Sequence, residues 1–441
     1  MGTHVTEESW FGRIGGAIKG ILVGGLLTIV SVPVLFWNEG RAVRTAKGLK
    51  EGAKVVIDIK PEEVNSANEG KFVHTVGETA TDEILRDEEF SVEYNGVRLK
   101  RHVEMFQWHE DVDRKKKKKM GGGTKTVTTY SYYKDWSSRT IASSEFDEPS
   151  THVNPSDMLF AERSKQAKKV MLGGFRLSDS LVGMIRSSEP LELTEANVPT
   201  PYLNAATIRH DGPKNAARLY LARASVGKTG AEAASESEDF GNDLPANPNR
   251  PELVDLEAES TELPDDGPIG TTEPQIGDVR IWFTATPVTT VSLLSQQSGD
   301  SFQPYETEYN TSINVLREGT FTADEMIAQQ EAANRTLTWV LRFVGALVMF
   351  FGLMLILRPL AVVADVLPFA GSIVGFGSAI VAGLLTIAGS MTVIGIAWVF
   401  YRPVLGVSLL VIAGVALFLL LRRKNATKED EPETLTSMDL A

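Results

Sequence analysis

The chain has 441 residues, enough for two or three structural units, and a formal net charge of −13. An acidic chain of this kind does not suit a phosphate backbone, so no nucleic-acid partner is expected. It has no cysteine, which excludes disulfides, thiolate nucleophiles and cysteine zinc sites.

Residues 1–37 form an N-terminal segment and a first transmembrane helix. Its apolar run is Ile21 to Phe36, extended back to Ile14 if Lys19 snorkels to the interface. The run closes in Val34-Leu-Phe-Trp37 rather than in the small residues of a cleavage site, so it reads as an uncleaved anchor. Gly12, Gly16, Gly20 and Gly24 recur every four residues, a stripe that lets a second helix approach closely where lipid gives no hydrophobic drive. The plainer reading is that glycine is simply common in membrane helices.

Residues 38–336 are polar and read as an extramembrane α+β domain, rich in strand. Alternation marks short strands at Lys71–Gly77, Phe90–Tyr94, Leu99–Trp108 and Thr126–Tyr133. Between the last two lies Arg114 followed by five lysines, Met120 and three glycines, expected as the solvated tip of a hairpin. Binding of that tip to an anionic lipid surface is the weaker alternative. A helix is predicted from Ser156 to Met171 and a second, short one from Ser178 to Ile185. The stretch 229–275 is acidic, proline-rich and poor in aromatics, the composition of a disordered insertion. Strand pattern resumes at Gly277–Thr284 and Thr290–Leu294. Thr322-Ala-Asp-Glu325 is a capping box, and no proline or glycine follows until Gly345. The helix that starts there is predicted to run unbroken into the second span.

Residues 337–421 hold three further spans: Leu337–Leu357, Gly377–Val399 and Val404–Leu421, the first about the length that a bilayer core of roughly 30 Å requires. Trp37, Trp339, Trp398 and Tyr401 stand near their ends, where aromatic belts form. Gly371, Gly375, Ala379 and Gly383 repeat the small-residue spacing and are assigned to helix packing. An interfacial or re-entrant helix is expected at 359–368, between two prolines. Arg358 and Asp365 could share a face of it as an ion pair. An ionisable group at membrane depth marks function by default, although at the interface a solvated group is the preferred reading. Residues 422–441 form the tail. Arg422, Arg423 and Lys424 place it in the cytoplasm, and with it the domain on the other side; Arg41, Arg44 and Lys47 vote the opposite way.

No nucleotide, hydrolase or metalloprotease motif occurs. His102 and His109 flank Trp108, but on a strand 102 and 109 face opposite ways, so a metal site is disfavoured. No catalytic residue, metal site or cofactor is expected.

Asn38-Glu-Gly-Arg-Ala-Val-Arg44, directly after the first span, resembles the signature of the LUMA family, also called transmembrane protein 43. Gly277-Asp-Val-Arg-Ile-Trp-Phe283, Leu337-Thr-Trp-Val-Leu-Arg342, Arg358-Pro-Leu360 with Asp365 and Leu367-Pro368, and Ala397-Trp-Val-Phe-Tyr-Arg-Pro403 match in order. The resemblance implies four spans with the large domain luminal or periplasmic, and suits a bacterial member. It implies residence in the bacterial inner membrane, or in the endoplasmic reticulum and inner nuclear membrane for an animal member. It also implies self-association and the organising of other membrane proteins, with no catalytic residues to transfer. The reading is therefore a non-enzymatic multi-pass scaffold, a homo-oligomer with protein partners. A pore- or transport-related protein is the alternative.

Overall fold

A computed structural model describes residues 2–223 and 273–404, with 406–408, 411 and 415. In chain order the elements used below are β1 (Thr3–Glu8), α1 (Trp10–Val55), β2 (Phe72–Ala80), β3 (Arg98–Lys118), β4 (Thr124–Ser137), β5 (Arg163–Gln166) and α2 (Asp179–Val182). There follow β6 (Ala206–His210), β7 (Ala217–Leu221), β8 (Val279–Thr286), β9 (Thr290–Ser298), β10 (Val315–Glu318), α3 (Ala323–Ala364) and α4 (Pro368–Tyr401). Among the described residues α1, α3 and α4 are long and apolar enough to cross a membrane. Most of the predicted fourth span at 404–421, the tail and nearly all of the acidic stretch 229–275 lie outside the described residues.

Helix α1 starts where the Ser9 side chain accepts the Gly12 N–H. It does not stop at the membrane surface, because Ala42, Ala46, Leu49 and Ala53 keep it helical as far as Val55. The capping box at Thr322 forms as predicted, and α3 runs from it straight through the second apolar run. It also continues through Pro359 to Ala364. The separate interfacial helix expected at 359–368 is therefore absent: residues 365–367 make the turn, and Pro368 opens α4 in the first-turn position where its missing N–H costs nothing.

The domain is built on two sheets. The first runs β1–β4–β3–β8–β7–β6, with β5 added along β3; the second pairs β9 with both β2 and β10. Val73, Val291 and Leu293 from the second sheet meet Leu99, Val103, Met105, Ile281 and Phe283 from the first in one apolar core. Along β3 every second residue from Leu99 to Gln107 is buried. That alternation carries Arg101 inside, where Asp87 (3.0 Å) and Glu89 (2.5 Å) neutralise it.

The predicted helix from Ser156 to Met171 does not form. Met158, Leu159 and Phe160 all pack against the core, which three consecutive residues of a helix would not do, and β5 then pairs with the edge of β3. The start signal at Ser156 is therefore followed by extended chain, with Ala167 and Val170 buried. The second helix is a single turn, α2.

The hairpin of β3 and β4 is longer than predicted. It stays paired to Lys118–Thr124, so the lysines lie within a strand. Gly121 (φ 83°) and Gly122 (φ 79°) make the turn in a backbone region that other residues rarely occupy. β1 adds a third strand to its free end.

Candidate functional site at the ends of the helix pair

Helices α1 and α3 run antiparallel, and their closest approach is at Gly24 and Gly352. A Cβ on Gly24 would overlap the Gly352 carbonyl oxygen, and one on Gly352 would lie 2.5 Å from the Thr28 hydroxyl. The glycine stripe of α1 is thus divided. Gly24 is the contact with α3, Gly20 has Leu355 at 3.8 Å, Gly12 touches only the preceding turn, and Gly16 has nothing within 4 Å. On α4, Gly371 receives the Asp365 side chain and Gly375 sits 3.8 Å from Ala361. Gly383 faces open space, and Ala379 is half-buried.

At the domain end of the pair, the Asn38-Glu-Gly-Arg41 segment finds a structural reason for each residue. The Glu39 carboxylate is fully buried and accepts from Arg342 Nε (2.6 Å) and Nη2 (2.8 Å) and from Trp398 Nε1 (2.8 Å). Asn38 donates to the Thr338 carbonyl at 3.1 Å. Arg41 donates to Asn334 (2.9 Å), to the Thr338 hydroxyl (3.0 Å) and to Asn38. Gly40 leaves room for the Tyr401 ring, which a Cβ would meet at 2.6 Å. Three helices are thereby locked together through four consecutive residues of one. Arg342 lies over the Trp339 ring at 4.7 Å. Beside this cluster a cavity of about 400 Å³ opens between α1, α3 and α4, with Arg335, Trp339, Arg342, Trp398 and Arg402 in its wall.

At the other end, Asp365 is buried and pairs with Arg13 (2.5 Å) and Lys118 (2.6 Å). The ion pair expected with Arg358 is not made; Arg358 is exposed, and Asp365 is not solvated. Arg13 also donates to the Gly122 carbonyl at 2.5 Å, the Gly121 N–H donates to Val366 O, and Trp10 Nε1 donates to Val362 O. The lysine–glycine tip, expected to be solvated, is therefore docked on the turn between α3 and α4. Partners at 13, 118 and 365 have no local pattern that could announce them.

From Glu39 to Arg13 the α1 axis rises about 39 Å, so a hydrocarbon core of roughly 30 Å fits between the two charged clusters. The hairpin spans the same interval beside the helices, and from Asp111 to Lys118 its first strand is exposed and mostly charged. Hydrocarbon cannot solvate those groups. A bilayer that closes around the helices and a docked tip exclude each other along that flank.

The histidines flanking Trp108 are structural. His102 stacks on Trp282 (4.9 Å between centroids) and His109 on Tyr133 (5.0 Å). Burial, and then the Lys100 ammonium, push the His102 pKa down. Among the described residues no group of three or more His, Asp or Glu gathers as metal ligands do.

Three apolar helices fixed by buried charge to a two-sheet, β-rich domain define an integral membrane protein. The sequence profile described as Transmembrane protein 43 matches residues 105–403, more than half of the chain. The chain is 30% identical to Transmembrane protein 43 of Rattus norvegicus over 432 residues, covering 97% of this chain and 96% of the relative. The Homo sapiens protein of that name is 30% identical over 415 residues, 93% of this chain and 91% of the relative. A homologue in Drosophila melanogaster is 24% identical over 396 residues, 88% and 90% respectively. The chain belongs to the Transmembrane protein 43 family. No solved structure matches it.

Proposed function

We propose that this protein is a non-enzymatic membrane scaffold that self-associates through its helices and presents its β-rich domain to other membrane or membrane-associated proteins. The observation that carries the reading is rigid coupling. Both α1 and α3 pass without a break from the apolar runs into the domain. There Leu49, Met326 and Ile327 pack against Phe72, Leu294 and Ile313. A platform held this way keeps its orientation to the bilayer. Self-association is assigned to the part of the glycine stripe that no other helix of the described chain covers, Gly12 and Gly16.

The test is the oligomeric state and thermal midpoint of the full chain in lipid nanodiscs. Couplings between membrane helices average only about 0.6 kcal/mol in one measured case, so two changes are combined. Gly12→Leu with Gly16→Leu is expected to dissociate the oligomer at an unchanged midpoint. An unchanged oligomer would overturn assembly through this stripe. A lowered midpoint with the oligomer intact would assign it to packing within the chain.

The domain is placed on the non-cytoplasmic side, supported by Arg422 to Lys424 in the tail. Reporter fusions at residue 441 and within 229–272 should report the cytoplasmic and the non-cytoplasmic side respectively; a 229–272 fusion reporting from the cytoplasm would overturn the topology.

A further inference from the structure

We propose that the cavity between α1, α3 and α4 is a binding site for the phosphate headgroup of an anionic phospholipid. Its position comes first. Arg335 stands just before the apolar run that begins at Leu337, and Arg402 just after the one that ends at Val399, so the cavity lies at the level where hydrocarbon gives way to headgroups. Trp339 and Trp398 line it at the depth where membrane-facing tryptophans collect.

Charge comes second. Glu39 already neutralises Arg342. Arg335 and Arg402 line the same cavity with no carboxylate at ion-pair distance among the described residues, and the neutralising groups in the wall amount to the exposed Glu331. Arg41, one layer behind, is held by neutral oxygens, and its buried Nε has no partner at all. With Arg335 and Arg402 in the wall and Arg41 behind it, three guanidinium groups stand against the one carboxylate of Glu331, a local surplus of two positive charges. Guanidinium is also the side chain whose planar fork matches phosphate oxygens.

The apolar surroundings select a lipid over a soluble anion. Trp339 is 64% exposed, and Phe343, one turn further toward the bilayer centre, is 65% exposed. An acyl chain descending from a headgroup in the cavity would lie along these rings. The cavity volume of about 400 Å³ is in the range of small-ligand sites.

The experiment uses the full chain in phosphatidylcholine nanodiscs doped with phosphatidylglycerol. The lipids that stay with the protein after extraction into mild detergent are counted by native mass spectrometry. The native chain should retain phosphatidylglycerol in preference to phosphatidylcholine. Arg335→Gln with Arg402→Gln should cut that preference about thirtyfold, the effect of two basic residues beside an anionic surface. Arg335→Lys with Arg402→Lys should keep most of it. Equal retention by the glutamine variant, at an unchanged thermal midpoint, would overturn the site. Displacement of the lipid by millimolar inorganic phosphate would show a free-anion site and overturn the lipid assignment.

Discussion

Glu39 has no water contact, and its two oxygens hold one guanidinium and one indole N–H across three helices. Removing one member of such a pair leaves the other charge buried, which costs about 3–5 kcal/mol. Glu39→Ala should therefore lower the thermal midpoint in nanodiscs sharply, whereas Glu39→Leu combined with Arg342→Leu should recover much of the loss. If the double change is as damaging as the single one, the cluster acts by shape and not by charge pairing. His102 carries a pH prediction. Its pKa is lowered in the folded state, chiefly by burial, so between the ordinary value of 6.5 and the lower folded value the unfolded chain binds the proton more readily. Stability should accordingly be complete above pH 6.5 and decline as pH falls below it. His102→Gln should flatten that part of the unfolding curve, and an unaltered acid slope would remove His102 as its source. In the sequence the Asn38–Arg41 segment stands out through its family signature and through the charge of Arg41. Its partners at 334, 338, 342, 398 and 401 were unassigned, because nothing within a few residues of Glu39 declares what lies three hundred positions away.

At the level of elements, close approach of α1 and α3 rests on glycine facing glycine. Gly24→Leu would drive a side chain into the Gly352 backbone, an overpacking that costs about 1–3 kcal/mol or more. The fold should lose stability while the oligomer, judged at a temperature where the chain is still folded, persists. Together with the expected outcome at Gly12 and Gly16, this would assign the two ends of one stripe to two different contacts; a stability unaffected by Gly24→Leu would dissolve the distinction. The stripe itself was legible from its four-residue period, and so were three spans, the capping box at Thr322 and the strands whose inward residues alternate. What was not legible came from tertiary competition. Met158 to Phe160 sit where helix propensity and core burial disagree, and burial prevails. Pro359 predicts a boundary, yet α3 accommodates it at an end of the apolar run, where the neighbouring helices already fix its path.

For the whole molecule, the docked hairpin tip and the surrounding lipid contend for one flank of the helix pair. Enclosing spans of some twenty apolar residues in hydrocarbon is worth tens of kcal/mol, at about 1.5–3 kcal/mol for each large side chain. The tip offers a handful of hydrogen bonds to charged groups, about 1.5–3 kcal/mol apiece, and the six-pair ladder of β1 on the hairpin end, at about 0.5–1.5 kcal/mol for each backbone bond. The bilayer should win. Because the chain has no cysteine, spin labels can be placed at will. With Met120→Cys and Phe369→Cys, both highly exposed, the label distance should be short in the docked form and long in nanodiscs. A short distance in nanodiscs would mean instead that the hairpin accompanies the helices across the membrane in a water-filled path. Released from Lys118, Asp365 keeps Arg13 as its partner and gains an open side. Occupancy of that socket by the tip should then report the surroundings of the helices: filled where hydrocarbon is absent, and open where the bilayer closes around them.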